Sequence, residues 1–128
     1  MGVRNQLHIL IVDDMSTSRG LITQAMDELG IANYDTENDG RSALARLAAR
    51  PVHLVISDYN MPGMNGLELL AALRQHKSTQ RIGFILITGR AERELLEKGQ
   101  KLGMNNYLAK PFSTPQMKAC IERVVGPL

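Results

Sequence analysis

Five residues of the 128-residue chain have types and positions suited to one piece of chemistry. Asp13 and Asp14 directly follow the apolar run Leu7 to Val12, and Asp58 follows the run Val52 to Ser57 and leads into Tyr59-Asn60-Met61-Pro62-Gly63. Thr88 closes the run Ile82 to Thr88, and Lys110 stands between the run Asn106 to Ala109 and Pro111. Taken singly, each is ordinary. An Asp at a strand end is commonly a turn residue or a helix cap, and a lone lysine is normally solvated. Together they are not. Three carboxylates crowded into one place repel and push at least one pKa upward, a penalty that a divalent cation removes. An all-oxygen ligand set favours Mg²⁺, Mn²⁺ or Ca²⁺ over zinc. With Lys110 as a cation and Thr88 as a hydroxyl donor for phosphate oxygens, the chemistry is phosphoryl transfer with a carboxylate as acceptor.

That chemistry requires elements that bring the five residues to one edge. The apolar runs read as β-strands, with a weaker fifth around Ile31 to Glu37 that has the composition of an edge strand. Three runs are continuously apolar, the pattern of strands covered on both faces. Between them lie amphipathic stripes: Leu21, Ile22, Ala25, Met26 and Leu29, ended by Gly30; Ala43, Leu44, Leu47 and Ala48, stopped by Pro51; Leu67, Leu70 and Leu73. Two more follow: Leu95, Leu96, Gly99 and Leu102, closed by Gly103, and then Met117, Ile121, Val124 and Val125. Strict strand–helix alternation implies an α/β fold, a doubly wound parallel sheet with helices on both faces. In such sheets ligands bind beyond the carboxyl ends of the strands, where the five residues fall.

Composition narrows the function further. The length suits one domain. Apolar residues make up 44% and charged residues 22%, an ordinary soluble balance, and a net charge of +2 gives no basic patch for nucleic acid. The three histidines, His8, His53 and His76, lie too far apart in sequence for a zinc motif, and the single Cys120 cannot form an internal disulfide. The longest apolar runs, Ile9 to Val12 and Phe84 to Ile87, are too short to span a membrane, and the N-terminus lacks the apolar core of a secretory signal. A cytoplasmic protein is expected. The glycine-rich loops that cradle nucleotide phosphates are absent.

The set Asp13-Asp14, Asp58-x-x-Met61-Pro62-x-x-x-Gly66, Thr88 and Lys110-Pro111-Phe112 resembles the response-regulator receiver domains of bacterial two-component signalling. The resemblance covers essentially the whole chain, 1–128, as a single receiver domain without an output domain, and looks most like the freestanding chemotaxis regulators of the CheY type. It implies a flavodoxin-like (βα)₅ fold with strand order 2-1-3-4-5. It also implies that Asp58 accepts a phosphoryl group from a histidine kinase. Asp14, Asp58 and the backbone carbonyl of Asn60 would ligate Mg²⁺ directly, with Mn²⁺ as a substitute, and Asp13 would act through a metal-bound water. Lys110 would pair with the phosphoryl oxygens, its bond to Pro111 being cis as is usual in the family. Thr88 would be the switch hydroxyl and Tyr107 the aromatic switch. Two positions depart from the pattern: Gly89 stands where the family usually has Ala, and Arg90 where chemotaxis members tend to carry an acidic residue.

The partner surface implied by the resemblance comprises Arg93, Leu96, Gln100, Met104, Tyr107, Ala109, Phe112 and Arg123. Only 16 residues follow Phe112, too few for a DNA-binding output module, so signalling by protein binding is expected, at a flagellar motor switch protein. A phosphatase would be a further partner, and a monomer is expected by analogy. The alternative is a phosphorelay intermediate or phosphate sink working with a histidine phosphotransfer protein or a kinase. A metal-dependent phosphatase with an Asp nucleophile is disfavoured, because Asn60 stands where a second Asp would be needed. The chain is not expected to be an enzyme beyond its own phosphorylation and dephosphorylation.

Overall fold

Strands β1 (Ile9–Val12), β2 (Tyr34–Glu37), β3 (Leu54–Asp58), β4 (Gly83–Thr88) and β5 (Asn106–Ala109) form one parallel sheet in the order β2-β1-β3-β4-β5. A computed structural model provides this description and covers residues 2–128. The expected flavodoxin-like order is the one found. Every residue of β1, β3 and β4 is buried, as their unbroken apolar runs require, while β2 and β5 lie at the edges. The ladder starts later than the apolar runs, with Ile9 opposite Leu54, so Leu7 and Val52 precede it.

The twofold alternation of a strand sorts side chains between two layers. Ile9, Ile11, Leu54, Ile56, Ile85 and Ile87 face helices α1 (Ser16–Glu28) and α5 (Thr114–Val125). Leu10, Val12, Val55, Phe84 and Leu86 face α2 (Gly40–Ala49) and α3 (Gly66–Arg74), with α4 (Arg93–Lys101) on the same side. Side-chain caps fix the starts of three helices. Asp39 caps α2, Asn65 and Glu68 form a capping box on α3, and Ser113 and Gln116 form one on α5. Gly30 and Gly103, with φ of +73° and +93°, end α1 and α4 in a conformation that a Cβ would strain.

Two stripe residues fall outside the core. Leu21 is 61% exposed, because the α1 stripe runs through Ile22, Ala25, Met26 and Leu29 and Leu21 sits one step around the helix from it. Ala48 is exposed for the same reason, one step past buried Leu47. In α4 only Gly99 is buried, and Leu95, Leu96 and Leu102 are half-covered. Among the described residues no helix is long and apolar enough to cross a membrane.

Candidate functional site

The carboxyl ends of β1, β3, β4 and β5 converge as the alternation implies. Asp13 directly follows β1, Asp58 is the last residue of β3, Thr88 the last of β4, and Lys110 directly follows β5. All but Lys110 are buried, Asp13 completely and Asp58 to 5% exposure. The sheet's alternation places Asp13 and Asp58 in phase with the residues that face α1 and α5, and Thr88 in phase with those facing α3. Gly66 lets this corner close. A Cβ there would lie 2.6 Å from the Asp58 carbonyl oxygen and 2.8 Å from Leu86 Cδ1, so a side chain would push the start of α3 off the end of β3.

Lys110 Nζ lies 3.0 Å from Asp58 Oδ1 and 3.8 Å from Asp13 Oδ2. It donates a further hydrogen bond of 2.8 Å to Ser18 Oγ. The Lys110–Pro111 peptide bond is cis. Burial pushes the Asp58 carboxyl above its usual pKa; Lys110 opposes the rise, and the charges of Asp13 and Asp14 add to it.

Asp13, Asp14 and Asp58 each offer a carboxylate oxygen within 4.8 Å of the others, a set able to hold a divalent cation. The two residues after β1 differ in how free they are. Asp13 Oδ1 accepts from the Met15 N–H at 3.0 Å, and Oδ2 accepts from the Ser18 hydroxyl. Asp14 Oδ1 is buried and has no hydrogen-bond partner. An orphaned buried carboxylate oxygen is costly unless a cation or water completes it, so the donor set fits a hard metal ion, with Asp14 the freest ligand. Asn60 is exposed in the loop beyond Asp58, and its carbonyl accepts no hydrogen bond among the described residues.

Thr88 is buried, and its hydroxyl is engaged with the adjoining loop. It donates to the Arg90 carbonyl at 3.1 Å and accepts from the Arg90 N–H at 3.0 Å. Tyr107 is 40% exposed on β5, opposite Leu86 in the β4–β5 register. Arg93, Gln100 and Arg123 are exposed, and Leu96 and Met104 half-covered. Phe112 lies apart from Met104: it packs on the α1 and α5 layer and lines a 490 Å³ groove with Leu21, Ala25 and Pro111, whereas Met104 packs on the opposite layer.

Two contributors went unread in the sequence. Ser18 joins Asp13 to Lys110, although 92 positions separate it from the lysine. Arg19 donates to the Asp13 carbonyl at 2.8 Å and braces the same turn. A signal for Ser18 was present: it sits four residues before Ile22 and seven before Ala25, a hydroxyl at the head of an otherwise apolar stripe.

Comparison with known proteins gives the family and the fold. The family described as the response regulator receiver domain matches residues 9–122. A probable chemotaxis protein CheY of Rhizobium etli is 41% identical over 128 residues, spanning 100% of this chain and 99% of that one. A chemotaxis protein CheY of Pseudomonas aeruginosa is 35% identical over 118 residues, 92% of this chain and 95% of that one. Among solved structures, chemotaxis protein CheY4 of Vibrio cholerae superposes with a TM-score of 0.86 at 28% identity, covering 93% of this chain and 98% of that one. The receiver domain of a Pseudomonas aeruginosa sensor histidine kinase does so with a TM-score of 0.84 at 25% identity, covering 94% and 98%. The chain belongs to the response regulator receiver domains and is CheY-like among them.

Proposed function

We propose that Asp58 takes a phosphoryl group from a histidine kinase in the presence of Mg²⁺, and that the phosphorylated protein signals by binding a flagellar motor switch protein. The observation that carries this reading is the buried Asp58 carboxylate, with Lys110 Nζ at 3.0 Å and the unpartnered Asp14 Oδ1 in the same cluster. In the transfer, an Asp58 oxygen forms a bond to phosphorus. The bond from phosphorus to the donor imidazole nitrogen breaks, and its electron pair stays on that nitrogen.

Asp14, Asp58 and the Asn60 carbonyl would hold the cation, with Asp13 acting through water because both its oxygens already accept protein hydrogen bonds. A bound Mg²⁺ supplies neutralisation of the charge that builds up on the phosphoryl oxygens, and Mn²⁺ would serve in its place. The related kinase receiver domain has a magnesium ion coordinated in its active-site cleft, which supports the same use here.

Lys110 is the counter-charge for the new phosphoryl oxygens, which outnumber and outcharge those of a carboxylate. Thr88 leaves the Arg90 backbone to donate to them. Tyr107, on the same face of the sheet, then moves into the space that Thr88 vacates, and the surface of α4, β5 and α5 changes shape. A phosphatase would return the protein to its starting state.

The test is titration with the N-terminal peptide of a flagellar motor switch protein, with and without beryllofluoride and Mg²⁺. Marked tightening with beryllofluoride is expected. No binding in either state, with beryllofluoride uptake verified separately, would overturn motor binding and favour a relay or sink role with a histidine phosphotransfer protein.

A further inference from the structure

We propose that Ser18 is a positioning residue for phosphoryl uptake, holding the Lys110 ammonium over the Asp58 carboxylate. The inference rests on Asp58 being the acceptor and adds a residue that acts on the reaction through Lys110. Ser18 is in the first turn of α1, half-buried, and its hydroxyl makes two bonds. It accepts from Lys110 Nζ at 2.8 Å and donates to Asp13 Oδ2. A hydroxyl has one proton to give and lone pairs to receive, so serving both partners fixes its rotor.

Helix capping does not account for a hydroxyl here. Ser18 is not the N-cap of α1, which is Met15, and its Oγ has no backbone partner among the described residues. It heads the stripe that continues through buried Ile22, Ala25 and Met26, and its hydroxyl there meets the fully buried Asp13 carboxylate and the Lys110 ammonium.

Lys110 needs such an anchor. Its side chain is long and flexible and 30% exposed, and its ion-pair partner Asp58 changes character when it is phosphorylated. Ser18 is outside the group being modified. The ammonium therefore keeps one fixed partner while its other hydrogen bond passes from carboxylate to phosphoryl oxygen. A lysine held in this way need not be recruited from solvent as charge develops on the donor phosphate, which is how preorganisation lowers a barrier.

The experiment measures phosphoryl uptake from acetyl phosphate at saturating Mg²⁺ in the wild type, Ser18→Ala, Lys110→Ala and the double variant. Loss of one hydrogen bond to a charged group is expected to slow Ser18→Ala about tenfold. In the Lys110→Ala background the same substitution is expected to have no further effect, since the group it positions is gone. Independently of uptake, the Lys110 ammonium proton signal is expected to exchange slowly with solvent in the wild type and to broaden in folded Ser18→Ala. Equal slowing in both backgrounds, or an unchanged rate and ammonium signal in Ser18→Ala, would overturn the inference. Asp58→Asn is the control for the underlying reading: continued labelling in that variant would sink the acceptor assignment itself, whatever Ser18 does.

Discussion

Thr88 and Tyr107 occupy the same face of the sheet on neighbouring strands, with Tyr107 opposite Leu86 and Thr88 two residues further along β4. Directly opposite Thr88 is Ala109, which carries only a methyl on the same face as the hydroxyl and the ring. The pair thus links the buried end of β4 to an exposed position of β5 through one ladder.

The switch role proposed for Thr88 predicts that its loss separates two readouts. Thr88→Ala should leave phosphoryl uptake largely intact while removing most of the beryllofluoride-induced gain in partner affinity. The cost in stability is expected to be about 1 kcal/mol, that of the lost hydrogen bonds to the Arg90 backbone. Parallel uptake and titration measurements check it; a full gain in affinity in Thr88→Ala would remove Thr88 from the pathway.

The two adjacent carboxylates should differ in metal binding. Asp14 Oδ1 is free and buried, while both Asp13 oxygens are engaged by Met15 and Ser18. Asp14→Asn is therefore expected to weaken Mg²⁺ affinity more than Asp13→Asn. Calorimetric titration with Mg²⁺ reads the order directly, and the reverse order would contradict it.

Gly66→Ala probes the corner that carries the acceptor. The added methyl would strike the Asp58 carbonyl oxygen, at 2.6 Å, and that atom belongs to the backbone and cannot swing aside. A loss of about 1–3 kcal/mol in urea unfolding is expected, in line with overpacked cores, together with slower uptake because Asp58 itself is displaced. An unperturbed Gly66→Ala protein would mean that the start of α3 can retreat freely.

Cys120 gives a pH dependence with a definite sign. Burial pushes its thiol up to about 11, above the unfolded value. Both states hold the proton at neutral pH, so this contribution to stability is whole there. As pH rises, the unfolded chain releases its proton first, and stability falls by about 2–3 kcal/mol between about pH 9 and about pH 11. Urea midpoints over that range should fall more steeply for the wild type than for Cys120→Ala; parallel slopes would contradict the shift.

The fold was legible because β1, β3 and β4 are covered on both faces and therefore carry unbroken apolar stretches (residues 9–12, 54–56 and 84–87), a pattern that needs no tertiary knowledge. That Asp13, Asp14, Asp58 and Lys110 would meet at one sheet edge followed from the alternation of strands and helices, whereas Thr88 ends its strand there with its hydroxyl on the Arg90 backbone. Leu21 was misread because apolar type does not fix the angle around a helix, and only the packing of Ile22 and Met26 shows which side is inward. Ser18 was missed because its partner, Lys110, is 92 residues away, and its hydroxyl acquires meaning only when α1 and the end of β5 meet. Arg74 was hidden in the same way. Its guanidinium donates to the carbonyls of Ile82 and Gly103 at 2.7 and 2.8 Å, joining the end of α3 to the start of β4 and to the turn after α4.

The central claim is that Asp58 is the group phosphorylated and that a divalent cation is required. It is tested most directly by intact-mass measurement after incubation with acetyl phosphate, with Mg²⁺ or with EDTA, on the wild type and Asp58→Asn. The account predicts one phosphoryl group on the wild type with Mg²⁺, and none with EDTA or in the variant. A phosphoryl group carried stably by Asp58→Asn, or uptake by the wild type that is indifferent to EDTA, would contradict it.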